Sequence, residues 1–225
     1  MDPANKTYNN VSINSILNPL PIDENLVERI SYRRIPFDIS ISEPKPDWPT
    51  HFETFKSRIL SAFNSSPTQI VKVHSINHIG STSVPTLPAK NIIDIDLVLS
   101  PSNTVAYEAD YVPLLESAGF QFVLREPAWY EHRFFIAKEV DQPMNCNLHV
   151  WGPGSAEVER HVIFRDYLRS EEGREDRKIY AEVKRESARA SKEMDEDVTG
   201  YTNRKEAVLR GILDRAFKWV GILEE

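Results

Sequence analysis

Apolar residues follow a helical period in some segments of this chain and a β-rich pattern in others. The stripe Phe52–Phe63 has helical spacing and predicts a helix that begins near Asp47, which can act as its N-cap. Residues 70–79 and 92–99 are rich in β-branched side chains, so we predict two strands there.

The second half of the chain mixes both patterns. A short helix is predicted at about 110–118, ended by Gly119, and strands follow at 120–124, 129–136 and 145–151. Three C-terminal helices are predicted at about 155–170, 176–194 and 202–220. This order predicts the α/β (α+β) class, with a mixed β-sheet covered by helices, mainly on one face.

Residues 1–46 differ from the rest because they are rich in proline, asparagine and serine and carry only short apolar pieces. Such composition is typical of chain that buries little apolar surface. We therefore predict an extended, partly disordered N-terminal arm at 1–46, followed by a single domain at 47–225.

Composition narrows the choice of compartment and partners. A single cysteine, Cys146, cannot form an internal disulfide, and the chain has neither a signal peptide pattern nor an apolar run of ~20 residues. These features predict a cytoplasmic protein that does not enter a membrane. The net charge of −7 argues against general nucleic-acid binding but permits a local basic face.

The candidate chemistry lies between His78 and Leu99. Side chains alternate across a strand, so Asp94 and Asp96 share one face of an otherwise apolar segment. Two such carboxylates are costly to bury unless a positive group, such as Mg²⁺, lies between them. Gly80 and Ser81 follow a strand, where the backbone can approach a phosphate closely.

The stretch HIGSTSVPTLPAKNIIDIDLVL resembles the signature of the GrpB family, a branch of the polymerase-β-like nucleotidyltransferase superfamily. The pieces LLESAGF, HRFF, NLHVW and FRDYLR, then Tyr180 and the pair Tyr201 and Lys205, agree with it, so the resemblance covers about 47–218. It implies a nucleotidyltransferase-like fold with Gly80, Ser81, Asp94 and Asp96 at characteristic positions.

One departure concerns the third carboxylate that such enzymes carry on a later strand. The corresponding segment here holds Asn147 and His149, and the acidic candidate nearest to it in sequence is Glu131. Two carboxylates and a histidine can bind metal differently, or not at all.

The N-terminal arm and the stretch REPAWYEHRFF also resemble fungal GrpB-like proteins, some of which are arginine-containing cyclodipeptide synthases. The resemblance implies partners, arginyl-tRNA and a second aminoacyl-tRNA, with possible tailoring enzymes of a biosynthetic pathway. This reaction needs a base, oxyanion donors and an acidic pocket for a guanidinium, and it requires no cofactor.

The candidate residues for such a site share hydrogen-bonding or charged side chains. Carboxylates would hold the arginine, serines would accept the acyl group or donate to an oxyanion, and histidines would move protons. The catalytic candidates are Asp94, Asp96, Ser81, His78, Glu131 and His149, and the substrate-binding candidates are Gly80, Ser83, Arg125, His132, Arg133, Arg165 and Arg169. His51, His74 and His161 are expected to be structural or at the surface.

Basic residues are frequent between Arg160 and Lys192, where acidic residues interleave with them. Two solvated helices with internal ion pairs would give this pattern, and so would a face that contacts tRNA. The candidates for such a face are Arg165, Arg169, Arg177, Lys184 and Arg185.

Three hypotheses remain open from sequence. The first is the arginine cyclodipeptide synthase, and the second is a Mg²⁺-dependent nucleotidyltransferase that acts on a small molecule, with Asp94 and Asp96 as metal ligands. The third is a non-catalytic binding module of the same fold.

Overall fold

The computed structural model describes residues 6–32, 40–66, 69–138, 144–194 and 198–224. Two strands, β1 and β2, form a small hairpin, and six others form one sheet in the order β3-β6-β7-β8-β5-β4. The strands are β1 Thr7–Tyr8, β2 Val11–Ser12, β3 Glu28–Arg29, β4 Lys72–Ile79, β5 Ile92–Ser100, β6 Gln121–Glu126, β7 His132–Lys138 and β8 Asn145–Trp151. The helices are α1 Ile13–Leu17, α2 Trp48–Asn64, α3 Val105–Ser117, α4 Ala156–Arg169, α5 Arg174–Glu193 and α6 Val198–Trp219.

The large sheet is mixed, which confirms the predicted fold class. Among the described strands, β5 and β8 run parallel, while the other neighbours pair antiparallel. No helix in the described ranges has both the length and the apolar character required to cross a bilayer.

Helices cover both faces of the sheet, so the expectation that they lie mainly on one face is wrong. On one face, Ile93, Ile95 and Leu97 pack with residues of α2 and α3 in the main core. The opposite face carries the polar side chains of β5, and α4 crosses it because His161 pairs with Asp96 there. A polar contact that sequence periodicity does not reveal therefore positions α4.

Helices α4, α5 and α6 share a second apolar core, which includes Tyr167, Tyr180 and Phe217. A buried carboxylate joins them: Asp176 accepts a hydrogen bond from the Tyr167 hydroxyl at 2.6 Å and two from Arg215 at 2.6 and 2.7 Å. Because Tyr167 lies on α4, Asp176 on α5 and Arg215 on α6, these contacts hold the three C-terminal helices together.

Part of the predicted N-terminal arm packs on this second core. Ile16 of α1 is fully buried, and its carbonyl oxygen accepts a hydrogen bond from Arg160. Strand β3 pairs with β6 at the edge of the large sheet. Residues 1–5 and 33–39 of the arm lie outside the described residues, and the division at residue 46 stays a prediction.

Several predicted boundaries shift by a few residues, and the larger shifts include the starts of β7 and α3. Tyr130 and Glu131 have φ values of +52° and +55°, so extended structure begins at His132 and not at Trp129. Helix α3 begins at Val105, five residues before the predicted start. Its first turn is stabilised by the sheet, because Glu108 is buried beside an arginine of β6 and an arginine of β7.

The two arginines, Arg125 and Arg133, face the main core and not the polar face. Arg133 pairs in register with Val150, which in turn pairs with Leu97, so strand alternation directs its side chain away from Asp94. Its guanidinium is fully buried and binds Glu108 at 2.7 Å, which Arg125 also contacts at 2.8 Å.

Glu131 belongs to the same network, because its carboxylate accepts from Arg133 at 3.0 Å. The expectations that Glu131 is catalytic and that Arg125 and Arg133 bind substrate beside the aspartates are corrected by this placement. These three residues stabilise the core face.

We expect Glu108→Ala to lower the free energy of unfolding by about 3–5 kcal/mol, because it removes the nearer of the two carboxylates that pair with the fully buried Arg133. The matched control is Glu116→Ala, at an exposed position of α3, which should change it by less than about 0.5 kcal/mol. Urea unfolding followed by circular dichroism measures both. Equal stability of the two variants would contradict a stabilising role for this network.

Candidate active site

A cavity of about 830 Å³ opens on the polar face of the sheet. The sheet contributes Gly80, Asp94 and His149 to its walls, and helix α4 contributes Glu157 and His161. Helix α6 closes the opposite side with apolar residues and with the acids Glu206 and Asp214. The cavity therefore combines apolar walls with several carboxylates, as small-molecule sites do.

Asp94 is held at the floor of this cavity by a neutral partner. Its Oδ1 accepts a hydrogen bond from Asn147 Nδ2 at 2.8 Å. Burial raises the pKa of Asp94, and the opposing effects of Asn147 and of nearby Lys90, Lys184 and His161 do not cancel that rise. Asp94 is thus a desolvated carboxyl group whose charge is incompletely compensated.

The Gly80 turn lies directly against Asp94. Gly80 has a φ of +65°, and a Cβ atom added there would lie 2.3 Å from Asp94 Oδ2 and 2.9 Å from Asp94 Cβ. Only glycine fits this position, for both conformational and steric reasons. The structure therefore brings together the turn and the carboxylate that the sequence separates by twelve residues.

Asp96 is fully buried and both of its oxygens are occupied. Oδ1 accepts from Trp151 Nε1 at 2.7 Å, and Oδ2 lies 2.9 Å from His161 Nδ1. Neither oxygen is directed at the cavity, so Asp96 acts on His161 and not on a bound ligand.

The expected Mg²⁺ site does not fit these residues. A ligand oxygen of Mg²⁺ must be free of hydrogen-bond donors along the metal direction, and both Asp96 oxygens face donors. Within the described ranges, no group of three His, Cys, Asp or Glu side chains has a metal-binding arrangement.

His161 is the functional candidate that sequence reasoning missed. Burial alone would lower its pKa, but Asp96, Glu157 and Asp94 outweigh that effect and raise it. The imidazolium form is therefore favoured beside Asp96. The one available signal was the spacing of Glu157 and His161, four residues apart on one helical face.

His149 and His132 form a buried pair beside this centre. His132 Nε2 lies 3.0 Å from His149 Nδ1, and His132 Nδ1 lies 2.6 Å from a carboxylate oxygen of Glu126. Burial lowers the pKa of each histidine to about 3, so both rings are neutral. His149 reaches the cavity, while His132 lies behind His149 and orients its ring.

His78 lies on the wrong face to act with Asp94. It pairs in register with Ile95, its ring stacks on Phe52 at 4.7 Å, and its Nε2 lies 3.0 Å from Thr82 Oγ1. Burial lowers its pKa to about 3. The catalytic role expected for His78 is corrected, because strand alternation directs its ring into the opposite layer.

Ser83, Arg165 and Arg169 support the Gly80 turn from outside the cavity. Ser83 Oγ donates to the Gly80 carbonyl oxygen at 2.6 Å, and Arg169 donates to the Ser83 carbonyl oxygen at 2.6 and 2.9 Å. Arg165 donates to the His78 carbonyl oxygen at 3.1 Å. These three residues also line a second cavity, so their expected substrate-binding role stays a prediction.

The other candidates for a tRNA-contacting face do not form one exposed surface. Arg177 donates to the carbonyl oxygens of Leu168 and Ser170, and Lys184 is buried. Arg185 is ion-paired with Glu43 at 2.7 Å. A tRNA partner thus receives no direct support from these positions.

Comparison with known proteins adds the following findings. A family model described as GrpB protein matches residues 38–215. A UPF0157 protein of Halalkalibacterium halodurans is 39% identical over 178 residues, covering 79% of this chain and 82% of that protein. A UPF0157 protein of Streptomyces coelicolor is 31% identical over 179 residues, covering 80% and 84%.

One solved structure, the crystal structure of conserved protein GrpB from Enterococcus faecalis, has a TM-score of 0.58 to this chain. It covers 80% of this chain and 99% of that chain at 23% identity, and it shows that the two share a fold.

We expect Gly80→Ala to lower the free energy of unfolding by about 2–4 kcal/mol, since overpacking against Asp94 adds about 1–3 kcal/mol to backbone strain. Gly154→Ala is the matched control. Gly154 also has a positive φ, +76°, but nothing lies within 4 Å of its added Cβ, so we expect a loss of about 1 kcal/mol. Chemical denaturation measures both, and equal losses would refute the contact with Asp94.

The His161–Asp96 pair should make stability depend on pH. A raised histidine pKa adds stability that is complete below the ordinary value of 6.5 and is lost as the pH rises through the raised value. His161→Asn should therefore lose more stability at about pH 5.5 than at about pH 9. His74→Asn, at an exposed position of β4, is the control, and its loss should not vary in this way.

Proposed function

The chain belongs to the GrpB family, and from the chemistry of its cavity we propose that it is an arginine-containing cyclodipeptide synthase. It takes arginine from arginyl-tRNA and a second amino acid from another aminoacyl-tRNA and releases a diketopiperazine. This is an aminoacyl transfer that takes place in the cytoplasm, and its product is available to tailoring enzymes.

The observation that carries the proposal is an acidic cavity whose deepest carboxylates lack full compensation. Asp94 is bonded to a neutral amide, and burial raises the pKa of Asp94 and of Glu157. Glu157 has two cationic neighbours, His161 and Arg160, whose Nε lies at 3.3 Å, and its pKa is nevertheless raised. A substrate cation would lower the free energy of both ionised carboxylates.

An arginine side chain suits this cavity better than a compact ammonium. Its planar guanidinium carries five donors and can bind two carboxylates at once. Glu206 and Asp214 of α6 add negative charge to the same cavity, against Arg160 and Arg210. Arg210 is ion-paired with Glu206, whereas Asp214 has no ion-pair partner among the described residues. We therefore assign the guanidinium to Glu157 and Asp214.

The proposed reaction forms two amide bonds and breaks two ester bonds. The α-amine of one aminoacyl group attacks the ester carbonyl of the other, and the ribose hydroxyl of the tRNA whose ester is attacked leaves with the proton. The free amine of the resulting dipeptidyl-tRNA then attacks the second ester and releases the second tRNA. No electron transfer and no nucleotide cleavage are needed.

Two residues of the cavity match the acid–base requirements of these steps. Asp94, with its raised pKa, is a suitable acceptor for the amine proton. His161, held in its cationic form by Asp96, can donate to the oxyanion that develops on the ester carbonyl. Ser83 is not a suitable acyl acceptor, because its hydroxyl is buried on the Gly80 carbonyl.

A Mg²⁺-dependent nucleotidyltransferase is less well supported. Both oxygens of Asp96 face hydrogen-bond donors, which leaves Asp94 as the carboxylate of the pair that is open to the cavity. The wider relation to polymerase-β-like enzymes remains an expectation from the sequence motif.

The test is an in vitro reaction with purified protein, arginyl-tRNA and a mixture of other charged tRNAs, analysed by mass spectrometry. An arginine diketopiperazine should form and should disappear when RNase is added first. Asp94→Asn and Glu157→Gln should each reduce its rate by at least about 100-fold. Glu186→Gln, at an exposed position of α5, should leave the rate unchanged.

Failure to detect any arginine diketopiperazine with folded protein would overturn this proposal. Equal rates for Asp94→Asn and Glu186→Gln would also contradict the assignment of the cavity. Thermal unfolding of each variant confirms that a lost rate does not reflect a lost fold.

A further inference from the structure

Two facing helices carry the same pair of residues beside the Gly80 turn. Tyr180 and Lys184 lie four residues apart on α5, and Tyr201 and Lys205 lie four apart on α6. Residues at this spacing share one helical face. The Lys184 Nζ lies 5.1 Å from the Tyr180 ring centroid, and the Lys205 Nζ lies 3.8 Å from the Tyr201 centroid.

Both lysines are buried without a carboxylate partner. Lys184 is 3% exposed and Lys205 is 8% exposed. Among the described residues, neither ammonium has a hydrogen-bond acceptor or a carboxylate within ion-pair distance. A third positive charge is close, since Lys90 Nζ lies 5.0 Å from the Tyr201 centroid.

The aromatic contacts do not offset the burial of these charges. A desolvated cation–π contact contributes about 2 kcal/mol, whereas removing one ammonium from water costs several kcal/mol. The cost of burying the ammonium groups is reflected in their pKa values. Burial, with Lys90 nearby, lowers the pKa of Lys205 to about 8 and the pKa of Lys184 well below its usual range. Asp94 supplies the opposing negative charge at both positions.

The turn completes a set of donors around this charge. The Ser81 side chain is hydrogen-bonded to Tyr180, which places its hydroxyl at the α5 side of the turn. Among the described residues, Asp94 is the one carboxylate whose charge acts on Lys184 and Lys205. A group with several acceptor oxygens and more than one negative charge matches such a region, and phosphate is the common biological group with both properties.

We propose that Ser81, Lys184 and Lys205 form a binding site for a phosphate group of the substrate, beside the Gly80 turn. The phosphate is either the diester of an RNA end or the monoester or anhydride of a nucleotide. The proposal does not rest on cyclodipeptide synthesis, because any phosphate-bearing substrate would use the same donors.

The test measures binding by thermal unfolding and by calorimetry with three probes: pyrophosphate, ATP and a single-stranded RNA trinucleotide. At least one probe should raise the Tm of the wild-type chain with increasing concentration, beyond the effect of sodium chloride at equal ionic strength. Lys184→Met and Lys205→Met should each raise the Kd for that probe at least about tenfold, which corresponds to a binding free energy weaker by about 1.4 kcal/mol.

The matched control is Lys178→Met, because Lys178 lies on α5 but its side chain is 62% exposed. It should bind the probe as the wild type does. Binding of the RNA alone identifies a diester site, and binding of pyrophosphate or ATP identifies a nucleotide-type site.

Stability without ligand provides an independent readout. Because each methionine removes a buried charge, both variants should be at least as stable as the wild type in phosphate-free buffer. If a variant does not fold, amine labelling of the wild type replaces it: the bound probe should protect Lys205 and leave Lys178 reactive.

The proposal is overturned if none of the three probes shifts the Tm beyond the salt control. It is also overturned if the Lys184 and Lys205 variants bind as tightly as Lys178→Met, or if the probe protects neither lysine.

Discussion

Two carboxylates on one face of a buried strand are the constraint on which the rest of this structure depends. The other face of β5 is apolar and packs into the main core, so Asp94 and Asp96 cannot turn away from the layer above them. Asp96 obtains two donors, one from β8 and one from α4, and thereby determines where α4 crosses the sheet. Asp94 obtains a weaker, neutral partner and remains open to the cavity.

The different bonding of Asp94 and Asp96 gives these two carboxylates different roles, one structural and one in the proposed reaction. A fully bonded carboxylate is a fixed charge that orients a histidine and stabilises its protonated form, as Asp96 does for His161. A partly bonded, buried carboxylate retains the capacity to accept a proton or a cation, as expected of Asp94. Similar contrasts hold for the histidines, because His149 faces the cavity while His78 packs on Phe52 in the opposite layer.

The surroundings of Asp94 contain groups of both charges. The cavity beneath α4 and α6 is rich in carboxylates, whereas Lys184 of α5 and Lys205 of α6 are buried within electrostatic reach of Asp94. An aminoacyl ester at the end of an RNA carries both complementary groups, since its amino acid is cationic and its nucleotide is anionic. Under the two proposals above, Asp94 would lie near the junction of these groups, where the ester bond is broken.

Local sequence determined much of this arrangement. Periodicity predicted α2, β4 and β5 and the mixed α/β class, alternation placed Asp94 and Asp96 on one face, and the glycine of the turn marked a close approach. It also determined that Arg133 and His132 face opposite ways, although not which of them faces Asp94.

Only the tertiary structure decided which faces meet, because strand register and helix crossing depend on contacts between residues far apart in sequence. Register placed His78 opposite Ile95 and so removed it from the aspartate face. Helix crossing brought His161, Glu157, Lys184 and Lys205 to the neighbourhood of Asp94, and no local pattern carries that information. Side-chain alternation is a property of one element, whereas the environment of a buried charge is formed by all the elements packed around it.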